Sequence, residues 1–232
     1  MLGWMSAENR GAQRIMEPTG AYDGGAVGAR SGLMTGTRVA TALGWRAVEA
    51  VSEGDLVLTF DAGLQRVTKI TRQAIWNGAG SCPQRFWPLH VPAGALGNRG
   101  DLHLMPEQYV MVESDAGEEL FGDPFSLIMA HVLEGMNGIE AIRPDHGLKD
   151  GPEAIVLHFE TDQVIFAESG VLFYCPSACG LLDQAVSAHV GAPYKALRQE
   201  DADVLVMCIE SEKAASRLWA DTTLPAASYA VA

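Results

Sequence analysis

The sequence predicts an all-β domain with one short internal helix and a helical C-terminal extension. Between residues 33 and about 174, apolar and polar residues alternate in short runs: Val39 and Thr41 between Arg38 and Ala40, Leu56 and Leu58 beside Asp55 and Val57. Gly44, Gly54 and Gly63 stand between these runs, where the chain must reverse. Beyond residue 175 the spacing lengthens to that of a helix, with Val204, Leu205, Cys208 and Ile209 on one face.

Taken in order, residues 1–31 mix Gly, Ala, Ser and charge without a period and read as a disordered leader. Strands follow at 36–41, 44–49 and 54–59, then a long polar strand over 64–75 whose imperfect alternation suggests a bulge. Residues 86–97 read as a strand ending in a turn. Residues 109–113 and 119–121 flank the turn Asp115-Ala116-Gly117 as a hairpin. Asp123 as N-cap and Pro124 at the first helical position open a helix near 126–134, closed by Gly135. A short strand at 139–142 and a hairpin over 154–168 complete the β domain. Helices are expected over 181–190 and 192–219, burying Leu205, Ile209 and Trp219, before a frayed tail at 221–232. The divisions are thus 1–31, 32–175, 176–220 and 221–232.

Apolar and charged fractions of 48% and 19% are those of a globular chain. A net charge of −13 excludes a nucleic-acid surface, which needs a basic face, and a polybasic membrane patch. No apolar run approaches the roughly 18 residues of a membrane span, and the N-terminus lacks a signal-peptide pattern. A cytoplasmic protein, or one exported without a cleavable signal, is expected, monomeric and free of cofactor and metal. Cys82, Cys175, Cys179 and Cys208 offer no second pair at zinc spacing and read as free thiols.

The run Gly36-Thr37-Arg38-Val39-Ala40-Thr41, then Val48-Glu49, Gly54-Asp55-Leu56-Val57-Leu58-Thr59 and Asp61-Ala62-Gly63-Leu64-Gln65-Arg66-Val67, resembles the opening of the Hint (Hedgehog/intein) domain in its bacterial type 2 form. Leu89-His90-Val91-Pro92-Ala93-Gly94-Ala95-Leu96-Gly97 is similar to a second block of that family, and 154–168 to its closing hairpin. The resemblance covers about 32–174 and implies a disc of curved strands.

The resemblance also implies a chemistry. Such a domain cleaves the peptide bond at its own N-terminus: a Cys or Ser attacks the preceding carbonyl, and a T-x-x-H block polarises it and protonates the leaving nitrogen. On this sequence the nucleophile position is Gly32. The second block is Met105-Pro106-Glu107-Gln108-Tyr109-Val110, with Met105 for the hydroxyl and Gln108 for the imidazole. The histidine frequent in the closing hairpin falls on Asp162, and Thr37 is expected to bond backbone near the site. The implied function is a degenerate Hint domain that has lost self-cleavage and serves as a structural or binding module for an unknown protein partner. The alternative is cleavage through Ser31 with His103 as base. On that alignment, restoring Cys at 32, Thr at 105 and His at 108 should return cleavage. His90 and His158 read as scaffold histidines, and Glu160 with Asp162 as a solvated pair. A hydrolase built from Cys175 or Cys179 with His158 has no motif behind it.

Overall fold

A computed structural model describes residues 20–23, 26–78, 80–144, 152–178 and 196–222. The strands are β1 (Gly20–Asp23), β2 (Ala26–Ala29), β3 (Leu33–Met34), β4 (Arg38–Thr41), β5 (Gly44–Ala47), β6 (Leu56–Thr59), β7 (Gly63–Arg66), β8 (Lys69–Ala74), β9 (Leu89–Val91), β10 (Leu102–Leu104), β11 (Tyr109–Glu113), β12 (Phe125–Met129), β13 (Glu140–Ala141), β14 (Glu153–His158), β15 (Gln163–Phe166) and β16 (Leu172–Cys175). Among the described residues there are two α-helices, α1 (Asp115–Phe121) and α2 (Gln199–Thr222). The expected all-β class, with one short internal helix and a helical extension, is the class observed.

The named strands pair antiparallel in three sheets. β1 and β2 form a hairpin; β13-β9-β10-β3-β14-β8 form a six-stranded sheet; β12-β11-β16-β15-β6-β4-β5 form a larger one, with β7 on β6. One core cluster joins the two larger sheets, including Val39, Val57, Leu104, Ile128, Ile155, Ile165 and Phe173.

Five local expectations are corrected, among them the hairpin about Asp115-Ala116-Gly117, whose turn and second strand are the helix α1 while β11 pairs β12. The long strand over 64–75 is two strands in different sheets. β7 completes a hairpin with β6, buried Val67 turns the corner, and β8 pairs β14 along Lys69↔His158 to Ala74↔Glu153. What looked like a bulge is a change of sheet. The hairpin over 154–168 is likewise not one, because β14 pairs β8 and β3 while β15 pairs β16 and β6. Residues 154–159 are all buried, and a strand covered on both faces carries no alternation to reveal its partner.

The internal helix lies before, not after, residue 123. Ser114 caps α1 by accepting the Gly117 N–H at 3.0 Å, Asp115 and Glu118 favour its first turn, and left-handed Gly122 ends it. Asp123 instead accepts the Phe125 N–H, turning the chain into β12, whose five residues pair β11. Ser126, Leu127 and Ile128 are buried in succession, and such an apolar run fits a helix or a covered strand equally.

The expected leader is structured over 20–23 and 26–31, whereas residues 1–19 lie outside the described residues. Ala29 is fully buried, and a Cβ on Gly28 would lie 2.6 Å from the Ile75 carbonyl and 2.9 Å from the Phe86 ring. The small residues that suggested disorder are what lets β2 approach this closely.

α2 buries Ala202, Leu205, Val206 and Ile209, spacings of three, four and seven. Leu205 and Ile209 are inside as expected, Cys208 is half-buried, and Val204 faces out. The Trp219 side chain, the helix expected at 181–190 and the tail beyond 222 lie outside the described residues. No helix among the described residues is long and apolar enough to cross a membrane.

Candidate functional site

Gly32 lies between β2 and β3, and its buried N–H donates to Oε1 of Gln108 at 2.9 Å. The Ser31 hydroxyl reaches the same oxygen at 3.4 Å. Gln108 Nε2 donates to the Tyr109 and Tyr174 carbonyls, both at 2.8 Å. Both ends of this buried amide are therefore satisfied, and the two carbonyls set its orientation.

A turn holds Gln108 there. Its N–H bonds the Met105 carbonyl at 3.0 Å, and its carbonyl accepts from Ala130 N. The turn is clasped to the entering chain by the Glu107 N–H to the Arg30 carbonyl at 2.7 Å and by an Arg30–Glu107 ion pair at 2.6 Å. The sequence therefore brings residues 30–32 and 105–108, some 76 positions apart, into one cleft.

Gly32 itself has φ of +120°, a region that side-chain-bearing residues seldom adopt. A Cβ there would sit 3.1 Å from Ile155 N, 3.2 Å from Ala154 Cβ and 3.2 Å from Val156 Cγ2. A side chain there would need its neighbours to give by a few tenths of an ångström.

The other expected positions divide. Met105 is fully buried in an apolar cluster with Ala29, Met34, Ile75 and Ala154, an aliphatic packing role. Asp162 accepts the Ser177 N–H at 2.8 Å and hydrogen-bonds the Tyr174 phenol; burial first, and then this carboxylate, push that phenol above its ordinary range. Asp162 thus reaches Gln108 only through Tyr174. Thr37 bonds through its backbone, N–H to the Met34 carbonyl and carbonyl from Val48 N, and lines a separate polar cleft of about 620 Å³ with Arg38, Arg99 and His103. Among the described residues no hydrogen bond joins Ser31 to His103; that imidazole lies 5.5 Å from the His90 ring. Tyr174 and Arg30 belong to the cleft and escaped sequence reasoning. Tyr174 contributes through a backbone carbonyl, which has no residue signature, and Arg30 lay in the expected leader.

The structure gives the Cys-His hydrolase no support either. Cys175 is fully buried, and burial drives its thiol far above the usual range, whereas a nucleophilic thiol needs the opposite. His158 bonds Thr71 at 3.1 Å instead, and Cys179 lies outside the described residues. No group of three His, Cys, Asp or Glu suited to a metal ion occurs among the described residues.

His103 and His158 are both held below the ordinary imidazole pKa of 6.5, each mainly by burial; His90 adds to this at His103, where Asp101 opposes it, and Lys69 adds to it at His158, where backbone hydrogen bonds oppose it. Unfolding releases them to 6.5, so the unfolded chain binds the extra protons. Stability is full above about 6.5 and is lost as pH falls through the folded-state values. The urea midpoint should drop between pH 7 and pH 5 by less in a His103→Gln, His158→Gln variant than in the wild type. An equal drop in both would assign the acid sensitivity elsewhere.

Antiparallel sheets share one core, and the entering chain is clasped by a turn some 76 residues on. A family model described as Hint domain matches residues 31–172, more than half of the chain, and the chain belongs to the Hint domain family. Among solved structures it is similar to a bacterial intein-like domain from Clostridium thermocellum, at 13% identity and a TM-score of 0.42 over 62% of this chain and 98% of that one. It is also similar to a splice-inactive variant of the AceL NrdHF class 3 split intein, at 18% identity and a TM-score of 0.38 over 64% and 99%. No curated protein matches significantly.

Proposed function

We propose that this Hint domain has lost self-cleavage and persists as a folded binding or structural module. The observation that carries the reading is Gly32: it has no nucleophilic atom, and its φ of +120° with Ile155 N 3.1 Å from a would-be Cβ makes a side chain there strained and tight. Gln108 takes the imidazole's place at the Gly32 N–H as a hydrogen-bond acceptor, and an amide has no proton to give at neutral pH. Met105 packs with apolar neighbours where a hydroxyl would be needed. Frame without reactive atoms is what a retired enzyme retains.

The Ser31 route has a hydroxyl beside the cleft, but its partner there is Gln108 Oε1, not a base. Losing the general acid alone costs about 10² to 10⁴ in rate. With a carrier protein fused to the N-terminus of the full chain, no carrier should be released by hydroxylamine within about a day, the combined loss of acid and activated nucleophile being too large. Release from the natural sequence that is abolished by Ser31→Ala would overturn the inert reading in favour of the serine route.

A further inference from the structure

We propose that the groove between α1 and the start of α2 docks a cationic, amphipathic peptide segment of a partner protein. The inference deepens the binding-module reading and rests on it, although the groove is separate from the Gly32 cleft. Its floor is Met111 and Leu127, from the paired strands β11 and β12. Phe60, Phe121, Phe125 and Leu197 wall a volume of about 540 Å³, with Phe60 and Phe125 edge to face at 5.0 Å. That size and aromatic lining suit side-chain anchors.

Charge selects the occupant. Asp115, Glu118, Glu119 and Asp123 lie on and just after α1, with no Lys or Arg between 115 and 123. α2 opens with Glu200, Asp201 and Asp203. Arg198 is the cation in the lining, and Asp201 holds it at 3.1 Å. Asp123 and Asp201 are in the lining itself and the other carboxylates lie on the two flanking helices, so the apolar slot sits in acidic surroundings that attract a basic chain and repel an acidic one. It is a peptide's surface rather than a small cation's because the two flanking helices expose further apolar side chains. Leu120 and Phe121 on α1, and Val204 and Met207 on α2, are exposed by 45%, 39%, 48% and 67%. Exposed apolar side chains rimmed by charge mark a contact surface, and an amphipathic helix laid in such a groove engages it with residues three and four apart.

The test is fluorescence anisotropy on the full chain with a labelled helical peptide of about 14 residues, roughly four turns, carrying Leu on one face and Lys on the other. Two controls replace Lys by Glu, or Leu by Ser. The Lys/Leu peptide should bind near physiological ionic strength, about 0.15 M. Phe121→Ala, and separately Asp123→Asn with Asp201→Asn, should each weaken it about tenfold. Phe121 is half-exposed, so its variant should melt like the wild type; Leu120→Ala provides a second probe of the same wall. Changes within about twofold for all variants would mean diffuse attraction to the net charge and overturn the proposal. Equal binding of the Glu/Leu peptide would overturn it too. A photo-cross-linking residue at position 121 supplies a test free of affinity: it should capture the Lys/Leu peptide. Capture of residues 179–195, which directly precede the groove's Ala196, would assign the groove to the chain itself. Carrier release in the cleavage assay leaves these outcomes untouched, so the two readings fail separately.

Discussion

Gly32→Cys should destabilise the domain by about 2–6 kcal/mol, the sum of about 1–3 for forcing a side-chain-bearing residue into a sparsely populated backbone region and about 1–3 for overpacking. Both terms come from one place. The φ of +120° disfavours any Cβ, and Ile155 N, Ala154 Cβ and Val156 Cγ2 stand within 3.2 Å of it. Gly32→Ala should show a loss of similar size, since the backbone and the Cβ cause it and not the thiol. It follows that restoring Cys at 32, Thr at 105 and His at 108 should not return cleavage, contrary to what the alignment alone implies. The measurement is urea unfolding of the two single variants, together with hydroxylamine-dependent cleavage of the triple variant. A Gly32→Cys protein as stable as the wild type would show that the segment relaxes freely. Cleavage by the triple variant would show that the loss of activity is only side-chain deep.

Gln108→Leu should cost about 2–4 kcal/mol, because removing one partner leaves buried groups unsatisfied at about 1–3 kcal/mol each. Four hydrogen bonds meet on this amide: from Gly32 N and Ser31 Oγ, and to the Tyr109 and Tyr174 carbonyls. Leucine is near in volume, so little of the loss is cavity. Gln108→Glu tests the same arrangement from the other side: it keeps the acceptor for Gly32 N–H but replaces the donor end by a carboxylate oxygen facing two carbonyls, so it should also destabilise above the carboxylate's pKa. The expected signature is a Gln108→Glu protein that becomes more stable as pH falls, opposite to the trend expected from the two histidines. A loss below about 1 kcal/mol for Gln108→Leu would mean that the Gly32 N–H finds another partner.

Much of the Hint assignment was legible in residues that act locally. Turn glycines and short alternating runs declare strands because side-chain period and backbone freedom belong to single positions. The blocks around Gly36-Thr37, Gly54-Asp55 and Pro92–Gly97 declared the family, whose model then matched residues 31–172. The absences at 32, 105 and 108 could also be read directly, since a missing nucleophile or imidazole is a matter of residue identity.

Pairing, burial and conformation could be settled only by the tertiary structure. β14 and β15 look like a hairpin because both are apolar and adjacent, yet which strand each joins depends on neighbours far along the chain. Residues 126–128 read as helix until β11 claimed them, while Ser114 and Gly122 drew the helix to 115–121. Gly28 and Ala29 suggested a slack leader because small residues carry no apolar signal, although smallness is what fits Gly28 under Phe86 and Ala29 among Met34, Ile75 and Met105. At Gly32 the letter showed only that a nucleophile was missing. The atoms of 154–156 crowd the site because β3 pairs with β14, which is why no local pattern could reveal how tight the cleft is at Gly32.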